Sequence, residues 1–383
     1  MQKKLIALAV AAALASPALA LADSANITVY GVADADVELV KSDKVAATAP
    51  GSRGRVTSNA SRLGVKGEEN VGNGLTAFFQ VETRVNLMGN EFTTTSNAAG
   101  GTTQTNLGVF NGMRNSNIGL KSDFGTAFIG NWDTPFKTSH NKLELFDNTS
   151  VATNTALLGA GPAKFNLRQN SSVQYWSPVM SGFQVKGAYS TVNATVENPT
   201  AGAATNAANN LGTPNLMSLS AAYDQDGIYV ALATEQHKNF TSATAVGSPK
   251  ESANRLVAAY SLDGMQIGLT VEGMKVTNAA GVDTKKNTYA LSGKYAMGAN
   301  NFGLSYTQAN DLSVGGVTTV NSGAKQISLR YGYALTKRSE VYGMYTQLAN
   351  KAAGTYNFVD VAPLASTAGA TLSGFGVGVR HSF

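Results

Sequence analysis

Apolar and polar side chains alternate along short segments of this chain, and the alternation persists to its last residue. Met265, Ile267, Leu269 and Val271 are spaced by Gln266, Gly268, Thr270 and Glu272, and Ile327, Leu329, Tyr331 and Tyr333 by Ser328, Arg330 and Gly332. Phe302–Thr307, Phe183–Ser190, Tyr289–Met297 and Ile27–Leu39 follow the same rule. Successive side chains of a strand point to opposite faces, so each segment has one oily and one polar face. No apolar run approaches the roughly 20 residues of a membrane-spanning helix. Cys is absent, so no disulfide holds the fold, and 40 Gly with 29 Tyr plus Phe suit an all-β chain.

The joins between segments narrow the architecture further. Strands are expected near 26–40, 55–69, 75–88, 114–122, 125–131, 170–177, 183–191, 216–224, 227–237, 255–262, 265–277, 287–297, 300–309, 324–334, 339–349 and 371–383, which makes 16. Even-to-odd joins are short and rich in turn residues: Asn70-Val71-Gly72-Asn73-Gly74, Asp224-Gln225-Asp226-Gly227, Leu262-Asp263-Gly264 and Gly298-Ala299. Odd-to-even joins are long: 41–54, 89–113, 132–169, 192–215, 238–254, 278–286, 310–323 and 350–370. Short turns on one rim and long loops on the other mark an antiparallel up-and-down transmembrane β-barrel. A soluble sandwich shows the same alternation with its oily face inward, but it is built from about 7 to 9 strands.

Lys3, Lys4, the apolar stretch Leu5–Ala15 and the small residues after Pro17 form an export signal, with cleavage expected after Ala22. Residues 23–383 then form a single barrel domain. Loss of Lys3 and Lys4 takes the formal charge from +5 to +3, far from a nucleic-acid binder's dense basic stripe. Phe375, Val377, Val379 and Phe383 share one face of the last strand, with His381 as the polar intruder, and suit a lipid-facing aromatic rim. Gly374-Phe375-Gly376-Val377-Gly378 gives room inside that strand and is not a nucleotide loop. The three histidines, His140, His237 and His381, fall in loops or at the terminus, and no metal-ligand spacing or cofactor motif is present. A barrel enzyme and an adhesive barrel stay open as competing readings. Hydrolysis of lipid or peptide would reveal the first, and exclusion of small sugars from liposomes the second.

Several motifs resemble the trimeric Gram-negative porins of the beta-proteobacterial type. They are Val29-Tyr30-Gly31, Ser61-Arg62-Leu63-Gly64-Val65-Lys66-Gly67-Glu68-Glu69 with Gly72-Asn73-Gly74-Leu75, Gly119-Leu120-Lys121-Ser122-Asp123-Phe124-Gly125-Thr126, Asn170-Ser171-Ser172-Val173-Gln174-Tyr175-Trp176-Ser177-Pro178, and Gly376–Phe383. The resemblance implies three barrels per assembly, a third long loop folded into the pore, and passive diffusion of small hydrophilic solutes and ions with no catalysis. Its expected partners are outer-membrane lipid, lipopolysaccharide, and the barrel-assembly machinery acting on the strand that ends at Phe383.

Register nominates the inward charges. With Leu63 and Val65 on lipid, Arg62, Lys66 and Glu68 face inward; with Ala77, Phe79 and Val81 on lipid, Gln80, Glu82 and Arg84 do. The same parity sends Asp34, Asp36, Glu38, Lys186, Glu272, Lys294, Arg330 and Arg380 inside. A charge facing lipid at mid-membrane costs about 2–4 kcal/mol. In similar porins a ladder of wall arginines faces the inward loop, and those positions fall on Arg62, Arg114 and Arg168. Arg114 has the parity of Ile118 and Leu120, so it turns inward only through a bulge or from a loop, and Gln174 stands where relatives often carry a second Arg. Segment 132–169 holds Asp133, Lys137, Lys142, Glu144, Asp147 and Lys164. Its acids either face the arginines or pair with the loop's own lysines. A mild anion preference is the expected outcome.

Overall fold

The structure is a computed structural model that describes residues 26–47, 49–88, 92–96, 102–106, 109–146, 151–191, 215–238, 250–278, 280–358 and 364–383. The export signal and Asp147 lie outside the described residues. Sixteen antiparallel strands form one closed sheet: β1 (Asn26–Ser42), β2 (Ser52–Ser58 with Arg62–Gly72), β3 (Leu75–Val85), β4 (Phe110–Met113 with Ser116–Ser122), β5 (Gly125–Asp133), β6 (Arg168–Trp176), β7 (Phe183–Ser190), β8 (Asn215–Gln225), β9 (Ile228–Lys238), β10 (Lys250–Leu262), β11 (Met265–Thr277), β12 (Asp283–Met297), β13 (Asn300–Ala309), β14 (Ala324–Ala334), β15 (Ser339–Asn350) and β16 (Thr371–Ser382). Each strand pairs with its chain neighbours, and β1 closes the ring on β16 from Val32↔Ser382 to Ser42↔Leu372. Closure leaves the sheet no unpaired edge.

The faces sort as the alternation requires. Val37, Leu39, Val81, Leu232, Leu269, Leu304, Leu329 and Val377 stand exposed on the outside, while Asp34, Asp36, Glu38, Arg255 and Glu272 lie buried within. This is a barrel turned oily-side out, and the sandwich alternative fails on that observation. Short turns use left-handed backbone: Asp226 and Gly227 have φ of 53° and 78°, Asp263 and Gly264 of 45° and 80°. Both carry the Asp-Gly signature of a two-residue hairpin.

Three expectations about strands need correction. Strand β2 is broken at Asn59–Ser61, where Ala60 takes a φ of 50° and Asp34 O accepts from Asn59 N and Ser61 Oγ, each at 2.8 Å. Strand β4 is broken at Arg114–Asn115. The 278–286 join is not long, since pairing runs up to Thr277↔Asp283 and Asn278 Oδ1 accepts from Val282 N at 2.9 Å to make a tight turn.

The segment between β5 and β6, termed L3, lies inside the barrel. It opens with a short helix, α1 (Pro135–Thr138), capped by Thr134. From there L3 travels along the inner wall as far as β16 and returns. Phe136 N donates to Ser218 Oγ on β8, Tyr229 Oη on β9 donates to Ser139 O, and Gln326 Nε2 on β14 donates to Thr153 O, at 2.9, 2.8 and 3.1 Å. Its apolar side chains pack on small wall residues: Phe136 and Phe165 on Ala233 and Ala253, Leu143 on Ala231 and Val257, and Phe146 and Val151 on Met344 and Leu372. The glycine row of β16 makes room, since a Cβ on Gly374 would stand 3.2 Å from Val151 and one on Gly378 would meet the Tyr342 ring at 2.5 Å. L3 therefore covers the β8–β16 half of the interior and leaves the β1–β6 wall facing the opening.

Candidate functional site: the constriction and its charged wall

On the uncovered wall and the adjoining start of L3, five basic groups, Arg62, Arg84, Arg114, Arg168 and Lys137, gather around Glu82 and Asp133. Strand pairing places Arg62 opposite Arg84 and Gly64 opposite Glu82 on the inner face. The break in β4 rotates Arg114 out of the outward parity of Ile118: its backbone N donates to Glu82 O at 2.8 Å, and its Nε to Glu82 Oε1 at 2.6 Å. The parity problem seen in the sequence is thus resolved by an irregular segment. Glu82 also accepts from Tyr30 Oη at 3.1 Å and lies 3.7 Å from Arg62 Nε.

Arg168, at the top of β6, donates through Nε to Asn115 Oδ1 at 2.5 Å and lies 3.3 Å from Asp133 Oδ1. Asp133 also accepts from Asn115 Nδ2 at 3.1 Å and from Lys137 Nζ at 2.7 Å. Both possibilities left open for this acid hold together, because it binds a wall arginine and a loop lysine. Burial pushes the Lys137 ammonium below its ordinary range, against the pull of Asp133. Gln174 points inward, and its Nε2 donates to Asp133 O at 3.3 Å.

The other candidates lie elsewhere on the inner face. Glu144 shares a cleft with Lys294, Arg330 and Arg380, of which Arg380 lies 3.9 Å from Asp34 on the neighbouring β1. Arg330 forms a two-pronged pair with Glu340, at 2.9 and 2.7 Å. Lys66 and Lys186 face inward below the arginines, and Glu68 accepts from Lys121 Nζ at 2.7 Å. Lys142 of L3 pairs with Asp224, not with an acid of its own loop.

Sequence reasoning missed what fixes L3. Arg255 on β10 donates through Nη1 to Phe136 O at 3.0 Å and through Nη2 to Asn166 Oδ1 at 2.7 Å, and it pairs with Glu272 at 2.5 Å. Glu272 in turn accepts from Gly159 N at 2.8 Å, and Lys286 Nζ donates to Leu157 O at 2.5 Å and to Ala160 O. Parity could place these three charges inside, yet only the loop's path reveals their partners. His237 also departs from the sequence reading. It lies within β9, not in a loop, buried between Glu251 Oε2 at 2.8 Å and Glu235 Oε1 at 3.0 Å under the Phe165 ring.

Comparison with known proteins bears directly on this geometry. A sequence profile described as Gram-negative porin matches residues 7–353. The chain belongs to the Gram-negative porin family. This porin is 29% identical to outer membrane porin protein 32 of Delftia acidovorans, over the full length of both chains. It superposes on the anion-selective porin from Comamonas acidovorans with a TM-score of 0.73 at 26% identity, covering 94% of this chain and 100% of that one. The trimer form of Vibrio cholerae OmpT shares the fold, with a TM-score of 0.64 at 16% identity, covering 94% of this chain and 100% of that one. Family and architecture together make this chain an outer-membrane porin of a Gram-negative bacterium, a water-filled channel through which small hydrophilic solutes and ions diffuse. Porin relatives are channels and not enzymes.

Proposed function

We propose that this porin prefers anions and that its narrowest section runs between the arginine wall and the outer edge of L3. The observation that carries the reading is the gathering of positive charge: Arg62, Arg84, Arg114, Arg168 and Lys137 stand together around Glu82 and Asp133. The cleft holding Glu144 also carries Lys294, Arg330, Lys337, Arg338 and Arg380, beside Glu144 and Glu340 and with Asp34 3.9 Å from Arg380. Guanidinium groups stay charged at every physiological pH, and a narrow, low-dielectric wall concentrates their field. The Comamonas porin that this chain resembles is described as anion-selective. Lys66, Lys186 and Arg330 extend the positive path, and Glu68 tempers it. Reversal potentials measured across a salt gradient in planar bilayers test the sign. A chloride-favouring potential is expected, and a cation-favouring one would overturn the reading.

The assembly is read as a homotrimer. The outward face of β1–β5 carries no Tyr and is built mainly from aliphatic side chains such as Val29, Leu39, Val81, Ile118 and Ile129. Aromatic belts occur on the remaining strands, with Tyr260, Tyr295, Phe302, Tyr331, Tyr333 and Phe383 toward one rim and Tyr189, Tyr289, Tyr306 and Tyr345 above them. Tyr marks contact with the membrane–water interface, so the face without it suits another barrel. The rest is exposed to lipid and lipopolysaccharide. The terminal strand ending in Phe383 is the segment offered to the assembly machinery, after removal of residues 1–22.

A further inference from the structure

Porin interiors are polar as a rule, yet one patch of this one is aromatic. Phe78, Phe128, Trp132 and Trp176 all point inward from β3, β5 and β6, below the arginine wall. Phe128 stands at the centre, edge-on to the other three at ring separations of 6.3, 5.4 and 5.2 Å, and the two Trp rings are 6.3 Å apart. Phe128 is buried and forms the floor, while Phe78, Trp132 and Trp176 are half-buried and line a cleft of about 410 Å³ open to the lumen. That volume lies within the range of small-molecule sites, about 300–1,000 Å³.

Packing alone does not account for the charges around these rings. Lys186 Nζ lies 4.3 Å from the centre of the Trp176 ring, and Lys66 lines the same cleft. Among the described residues neither ammonium has a carboxylate within 4.0 Å, whereas Lys121 and Glu68 at the cleft edge neutralise each other. Flat π surfaces beside unbalanced cations complement a planar ring that carries its own negative charge: the ring stacks and the anion meets the ammonium.

We propose that this patch is a transit subsite for aromatic carboxylates, which stack on Trp132, Trp176 and Phe78 while an ammonium on either flank, Lys66 of β2 or Lys186 of β7, meets the carboxylate. A solute leaving the arginine wall would be handed to it on the way to the short-turn rim. The subsite concerns solute class and not net ion preference, so a cation-favouring reversal potential would leave it intact.

The chain has 2 Trp, and both line this cleft, so Trp emission of the full folded porin in detergent, excited at wavelengths where Tyr does not absorb, reports on the subsite. Titration with sodium benzoate at constant ionic strength should change the emission saturably. Cyclohexanecarboxylate, with equal charge and no π face, should bind roughly three- to tenfold more weakly, and glucose should give no response. Lys66→Gln with Lys186→Gln, and separately Phe78→Leu, should raise the half-saturating benzoate concentration several-fold while both Trp reporters stay in place. Circular dichroism and resistance of the barrel to unfolding in dodecyl sulfate establish that each variant is folded. If a variant does not fold, benzoate-dependent flicker of wild-type single-channel current, compared with cyclohexanecarboxylate, decides instead. A non-saturating benzoate response, equal responses to the two carboxylates, saturable binding of glucose, or folded variants with unchanged half-saturation would each overturn the proposal.

Discussion

Glu82 shows how much one inward carboxylate controls. It touches Tyr30 and Arg114 and faces Arg62, so it offsets positive charge where the wall is densest. Glu82→Gln keeps the shape and removes that charge. At ~10 Å in a water-like medium one charge is worth about 0.4 kcal/mol, and anion and cation shift in opposite senses, so the anion-to-cation permeability ratio should rise roughly fourfold, as read by reversal potential. An unchanged ratio would place the selective section elsewhere. The inward side of Glu82 was legible from parity alone. That of Arg114 was not, because it depends on a two-residue break in β4 that alternation does not encode. Nor did parity reveal the aromatic patch as a unit, although the adjacent pair Phe78-Phe79 was its signal: one of two neighbouring rings on a strand must face the lumen.

L3 behaves as an element held by buried charge. Arg255→Ala would leave Glu272 buried without its partner and free the Phe136 carbonyl. Breaking such a pair costs about 3–5 kcal/mol, visible as a lower unfolding temperature in detergent together with noisier single-channel current. An unaltered unfolding temperature would show that L3 does not depend on this latch. Acid should loosen the same loop through His140. It is buried at the end of α1, with Nδ1 2.9 Å from Thr270 Oγ1 and Nε2 3.3 Å from Asn154 Nδ2. Burial first, and then the nearby Arg255 charge, depress its pKa from 6.5 to about 3. Docked L3 holds this histidine neutral, whereas an undocked loop would take up a proton near the ordinary value. Docking is therefore strongest above pH 6.5 and weakens as pH falls toward 3. Protease sensitivity of L3 should increase over that interval, and His140→Asn should flatten the dependence. That the loop is long and of functional interest was readable from its length. Its route was not, because contacts such as Gln326 with Thr153 span more than a hundred residues and leave no periodic trace.

At the level of the whole molecule, strand number, loop parity and the oily exterior were all legible, since each is a repeat that local chemistry writes many times over. The number of barrels per assembly is a different kind of property, set by where Tyr is missing from the exterior. Light scattering of the detergent complex, corrected for bound detergent, should return three times the chain mass. One chain mass would assign the aliphatic face to lipid. The seam between β1 and β16 carries a further consequence. Val32 stands in register with Ser382, and Gly31 and Phe383 exchange backbone hydrogen bonds of 3.1 Å. Strand β1 must wait for β16 to be made, and a ribosomal product halted before residue 371 would present two raw margins to the bilayer. Sealing is thus a built-in inspection of translation: only a chain read through β16 can become watertight along its side.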